Sequence, residues 1–435
     1  MMAVMQRRWT LAALGGSAVL ILIIAVLVQG WLPHESPPRT GDHIDQAELT
    51  GVSPVGRAQN DEIQRGDLGP KYLSQAELEL LGVDIDPTQV KHRGGYELSR
   101  WGVGCRRGLD CIVAITEPAY EAADSADEWL SGKHFVLSVR FSEDDVRAYP
   151  LNLIAYHEIV NDTINGTPVA ITYCPLCHSG VAFERPVLDD EPLEFRVSGR
   201  LYNANLLMVD RQTGSFWNQI RGHVVAGPLL GRAGTMHRIP TDLVFWEDWR
   251  EAHPHGQVLS RPKQVAGLRE DRSIPAEQYV SSPYAEYMMR PGVGFGVDTQ
   301  RMDLNEVAAK RLVFGVEVDG VAKAYLDGTL EDAGWVHDTV GEVPVVVFRA
   351  PSGEVRVFRR THPHYRDGTA PLTFTRHEAG WRDEQTGTIW SPNGHPVDGP
   401  LADAETSLAE IEVLSSYWFA WLLFHPDTQI YRGSG

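Results

Sequence analysis

Asp210-Arg211-Gln212-Thr213-Gly214-Ser215-Phe216-Trp217 returns later in the chain as Asp383-Glu384-Gln385-Thr386-Gly387-Thr388-Ile389-Trp390. The flanking landmarks return in the same order. Arg147-Ala148-Tyr149 recurs as Lys323-Ala324-Tyr325, Asn161-Asp162-Thr163 as His337-Asp338-Thr339, and Pro168-Val-Ala-Ile171 as Pro344-Val-Val-Val347. Gly222-His223 reappears as Gly394-His395, and Trp246, Trp249 and His253-Pro254 reappear as Trp418, Trp421 and His425-Pro426. The offset drifts only from 176 to 172 residues. Matches in register over so long a span report two copies of one folding unit. We place them at about 135–262 and 311–433, the second degenerate, with 263–310 connecting them.

Inside a unit the elements are short. Val316-Glu-Val-Asp-Gly-Val-Ala-Lys-Ala-Tyr325 and Pro344-Val-Val-Val-Phe-Arg349 read as β-branched strands punctuated by Gly or Pro. Thr213-Gly214 supplies a turn and Trp217 an anchor for the core. Trp246 and Trp249, three residues apart, fall on one face of a helix. Ser415–Phe424 is apolar but too short to span a bilayer, and its counterpart Val244–Glu251 carries four charges, so a core-packed helix is expected. The fold class is therefore α+β and strand-dominated, two homologous units in tandem packing as a pseudo-symmetric pair.

The N-terminus carries a different signal. Arg7-Arg8 is followed by twenty uncharged residues, Trp9–Val28. A helix of that length rises roughly 30 Å, the thickness of a hydrocarbon core. Basic residues before the segment put residues 1–8 in the cytoplasm, make 9–32 a transmembrane anchor (or signal peptide), and put the bulk outside. Residues 33–70 read as a Pro- and Gly-rich linker, and 71–134 as an extension bearing the Cys105–Cys111 loop. A net charge of −19 without clustered Lys or Arg excludes a nucleic-acid partner; the membrane is the partner the sequence supports. Four cysteines in 435 residues do not build a disulfide scaffold.

The duplication also sorts the chemistry. Residues kept in both copies are explained by the shared fold, whereas Cys174-Pro-Leu-Cys177 stands opposite Ala350-Pro-Ser-Gly353. The interval from Phe195 to Asp210 is six residues longer than its counterpart Phe374 to Asp383, and holds Ser198-Gly-Arg-Leu-Tyr-Asn203. The site is thus expected in the first unit, on a Cys-x-x-Cys turn between two apolar runs. Two thiolates on such a knuckle can hold copper or zinc, with His178, Cys105 and Cys111 as further candidate ligands. They can instead cycle as a dithiol in an extracytoplasmic oxidoreductase, although no helix N-terminus follows the first Cys to acidify it. Cys105 and Cys111 can close a disulfide of their own. Cys174-x-x-Cys177-His178 also has c-type haem attachment spacing, but a haem would have to displace core inside a hairpin. A non-catalytic interaction scaffold is the remaining reading. Candidate lining residues are Tyr173, Ser198, Tyr202, Asn203, Asp210 and Arg211.

Several of these strings occur together in one known family. Asp110-Cys-Ile with Ala114-Ile115, Thr172-Tyr-Cys-Pro-Leu-Cys177, Ser198-Gly-x-Leu-Tyr-Asn203 and Asp210-Arg-Gln-Thr-Gly-Ser215 all belong to it. So do Trp246-x-x-Trp249 with His253-Pro254, and Pro283-Tyr-x-x-Tyr287. The chain resembles the bacterial and archaeal family called domain of unknown function 3179, over about residues 100–330. The resemblance implies an exported or membrane-anchored protein and assigns no activity.

Overall fold

Strand pairing follows the turn chemistry that the sequence carries. Asn165-Gly166 (φ 51° and 83°) and Asp319-Gly320 (φ 51° and 79°) are two-residue turns of left-handed backbone. They join Ile159–Ile164 to Thr167–Cys174 and Leu312–Val318 to Val321–Leu326. This is the hairpin class that Asn-Gly and Asp-Gly favour, because its twist matches that of the strands. The computed structural model describes residues 90–92, 112–263, 274–293, 297, 302–333, 335–378, 380–404 and 406–433. The expected membrane anchor, the linker, Cys105 and Cys111 lie outside the described residues.

The chain is strand-dominated α+β, in several sheets. In the first half one sheet runs Thr241–Phe245, Phe135–Arg140, Val146–Pro150, Gln257–Leu259, Tyr120–Ala122. A second runs Arg238–Ile239, Ser179–Glu184, Thr167–Cys174, Ile159–Ile164. A third runs Val90–His92, Phe195–Tyr202, Asn205–Asp210, Phe216–Asn218, Val224–Ala226.

The second half has the orders Val413–Tyr417, Leu312–Val318, Val321–Leu326, Gln429–Tyr431 in one sheet and Trp335–Val340, Val343–Arg349, Val355–Arg359, Glu410–Ile411 in the next. Its third sheet is Phe374–His377, Gly380–Asp383, Ile389–Trp390, Pro396–Asp398. These orders correspond strand for strand to those of the first half; among the described residues Val90–His92, Tyr120–Ala122 and the small hairpin of Val187–Leu188 with Glu191–Pro192 have no counterpart.

A single apolar cluster crosses between the halves. It contains Val136, Leu137, Trp217 and Trp249 together with Val313, Leu414 and the helix Trp418–Phe424. That helix is apolar on nearly every side because it is buried on nearly every side; Trp418, Phe419 and Ala420 are fully enclosed. Its counterpart Trp246–Ala252 buries only Trp246 and Trp249, whose indoles stack at 5.5 Å. Among the described residues no helix is long and apolar enough to cross a membrane.

Candidate functional site

The strand Thr167–Cys174 turns through Pro175–His178 and returns as Ser179–Glu184, with Cys174 opposite Ser179. His178 closes the turn in left-handed backbone at φ 50°. Cys174, Leu176 and Cys177 are fully buried, and the two thiols are not joined to each other. Both sulfurs approach one acceptor: Cys177 Sγ lies 3.3 Å and Cys174 Sγ 3.9 Å from the carbonyl oxygen of Ala204. Ala204 and Asn203 (φ 60° and 48°) form the tip of the long hairpin Phe195–Asp210. The two segments that only the first half possesses therefore meet, tip against knuckle.

Aromatic side chains close over the turn from three directions. The Tyr173 hydroxyl and His178 Nδ1 are 2.8 Å apart. The imidazole stacks on Tyr417 at 4.9 Å and meets the edge of Phe135 at 5.5 Å. Burial pushes His178 down to about 4, so it is neutral at physiological pH. The Tyr417 amide, from the second half, donates to the Cys177 carbonyl at 2.8 Å. Tyr287, from the connecting segment, donates its hydroxyl to the Leu176 carbonyl at 2.9 Å. Lys310 sits 3.4 Å from the Tyr287 ring centre, and burial together with the Arg290 charge pulls its ammonium down to about 8. Tyr284 donates to Glu158 Oε1 at 3.0 Å, while the Tyr173 amide donates to the Glu158 carbonyl at 2.8 Å. Burial holds the Tyr173, Tyr287 and Tyr417 phenols above their ordinary value, so they stay neutral.

Beneath the turn lies a satisfied polar knot. Gln219 Oε1 accepts from Asn205 Nδ2 at 2.7 Å and from Ser179 Oγ at 3.1 Å. Gln219 Nε2 donates to Thr172 Oγ1 and the Ser179 carbonyl at 3.1 and 3.2 Å. Every polar atom of this fully buried amide is matched, which fixes the knuckle against the long hairpin.

The structure divides the remaining candidates. Tyr202 and Asn203 stand beside the site, where Tyr202 meets the edge of Phe424 and Asn203 Nδ2 donates to the Leu423 carbonyl at 3.3 Å. Ser198, Asp210 and Arg211 make their contacts elsewhere. Ser198 hydrogen-bonds the Leu207 carbonyl inside a β-bulge of its own hairpin. Asp210 is taken up by the Thr213 amide and hydroxyl at 2.6 and 2.8 Å and by Trp217 Nε1 at 2.9 Å. Asp383 holds Thr386 and Trp390 in the same way, so this carboxylate serves the turn. Arg211 pairs with Glu194 at 2.5 Å on the half-exposed surface.

Among the described residues no three His, Cys, Asp or Glu side chains converge as a metal cluster. Sequence reasoning missed Glu158, Ala204, Gln219, Lys310 and Tyr417. Only Tyr417 carried a signal, a phenol where the first copy has Phe245.

The family model described as protein of unknown function (DUF3179) matches residues 109–428. The chain belongs to this family. The match runs through both halves, beyond the stretch of about 100–330 that carries the strongest motifs, so DUF3179 includes the half that lacks the cysteines. No curated protein and no solved structure matches the chain.

Proposed function

We propose that this chain is a membrane-anchored extracytoplasmic protein that binds a soft metal ion through Cys174 and Cys177. The observation that carries the reading is the approach of both buried sulfurs to one acceptor, the Ala204 carbonyl, at 3.3 and 3.9 Å. Thiolates prefer soft ions, and exclusion of water protects such an ion from exchange. A closed zinc site takes four ligands. Two sulfurs suit monovalent copper, whereas zinc would draw on Cys105 and Cys111 as well. His178, neutral and hydrogen-bonded at Nδ1 to Tyr173, orders the turn in this reading instead of ligating.

We further infer that the halves descend from one duplicated unit, supported by their corresponding sheet orders and by the paired Asp-Thr-Trp turns. The second copy then acts as a structural partner, contributing the Tyr417 amide to the turn.

The test is copper(I) titration of the full-length protein in detergent, under reducing conditions, against a coloured copper(I) chelator. One tightly held ion per chain is expected, absent from a Cys174→Ser/Cys177→Ser variant that keeps its circular dichroism. Equal retention by that variant, or none by the parent, removes the reading. A metal-free parent whose two thiols oxidise reversibly to a disulfide would favour the oxidoreductase instead.

A further inference from the structure

The two halves differ in how their strand edges are covered. In the first half an extended segment, 112–122, runs from the edge of one sheet to the edge of another. Ile115 bridges Val160 in parallel, its amide donating to the Ile159 carbonyl at 2.9 Å and its carbonyl accepting from the Asn161 amide at 2.8 Å. The segment then adds Tyr120–Ala122 antiparallel to Gln257–Leu259, and the Ser260 amide donates to the Ala119 carbonyl at 2.9 Å. One stretch of chain thus caps two strand edges.

The second half presents the same two edges. Its register is the same, since Ile159 faces Thr172 in one hairpin and Trp335 faces Phe348 in the other. The Trp335 carbonyl and the His337 amide therefore project as those of Ile159 and Asn161 do. Gln429–Tyr431 is the matching second edge. Among the described residues no strand lies beside either edge. Between them opens a groove of about 1020 Å³, lined by Trp335, Val336, His337, Tyr431, Arg432 and Arg311. The half-exposed Trp335 and Tyr431 offer aromatic surface, and an uncapped edge offers main-chain hydrogen bonds.

We propose that this groove binds an extended, carboxylate-bearing peptide segment of a partner protein, which adds as a strand parallel to Trp335–Val340. The charge of the occupant follows from the lining. Two guanidiniums, Arg311 and Arg432, face a single carboxylate, Glu306, on a chain whose net charge is −19. The segment that caps the corresponding edges in the first half carries Glu117 and Glu121, the latter accepting from Trp129 Nε1 at 3.0 Å. This surface is independent of the proposed metal site.

The experiment uses the full-length protein in detergent and a fluorescent synthetic peptide with the sequence of residues 112–122, read by anisotropy. Saturable binding is expected. It should weaken more than about tenfold when the peptide amide equivalent to Ile115 is methylated, and comparably for a peptide with both Glu replaced by Gln. An Arg311→Glu/Arg432→Glu protein should bind the parent peptide more than about tenfold more weakly, while its copper titration stays unchanged. Because methylation alters only the probe, its effect cannot come from misfolding of the protein. No binding, equal binding of the methylated peptide, or full binding by the charge-reversed protein each overturns the proposal.

Discussion

Replacing Asp242 by Asn should change how the stability of this protein depends on pH. Asp242 lies in the strand Thr241–Phe245, where that sheet meets the second half, and is only 4% exposed. Its carboxyl accepts from the Leu243 amide at 2.7 Å and, across the junction, from the Val355 amide and the Ser415 hydroxyl. Burial pushes its pKa from 3.8 up to about 7; the nearby Glu354 charge adds to the rise, and the Ser415 and Val355 hydrogen bonds oppose it.

The sign follows from proton counting. Between the unfolded and folded values the native state holds a proton that the unfolded chain has released, so stability falls as pH rises through that window. At about 1.4 kcal/mol per unit, the full effect is about 4 kcal/mol. Roughly 2–3 kcal/mol of it falls between about pH 5 and about pH 8.

Denaturant unfolding of the parent and of Asp242→Asn across that range isolates the term, since every other titrating group is common to both. Asn loses one acceptor, which adds a constant offset of about 1–3 kcal/mol. Superimposed on it, the parent should lose ground to the variant steadily as pH rises. A difference that stays flat with pH would refute the reasoning, because it would mean that the carboxylate is ionised throughout.

Other outcomes follow from the same physics. His178, pushed by burial from 6.5 down to about 4, contributes with the opposite sign: its stabilisation is complete above pH 6.5 and is lost as pH falls through 4. His178→Phe should therefore gain about 2 kcal/mol on the parent between about pH 7 and about pH 5, read from the same unfolding curves. Trp217→Phe and Trp390→Phe each remove an indole donor 2.9 Å from a buried aspartate. Each should cost about 1.5–3 kcal/mol by denaturant unfolding, and a large cost in one half with none in the other would contradict equivalent turns.

Much of the fold was legible because its signals are local. Asn165-Gly166 and Asp319-Gly320 specify their hairpins through backbone sterics alone, and β-branched alternation specifies the strands beside them. The repeated Asp-x-Gln-Thr-Gly turn was legible because its hydrogen bonds close within eight residues. Asp210 lies next in sequence to segments of the site, while its carboxylate serves the turn.

The tertiary structure decided what lies across the site. Ala204 reaches Cys177 over 27 residues, Tyr287 reaches Leu176 over 111, and Asn203 reaches Leu423 over 220. No periodicity encodes such meetings, because they depend on how sheets stack and on the angle at which one hairpin arrives at another. By itself, the sequence determined a strand-dominated α+β chain in which a series of motifs recurs and one pair of cysteines does not. Packing alone decided that the other unmatched segment, Ser198–Asn203, belongs to the hairpin whose tip covers those cysteines, and that residues 112–122 cap two strand edges whose counterparts have no strand beside them among the described residues.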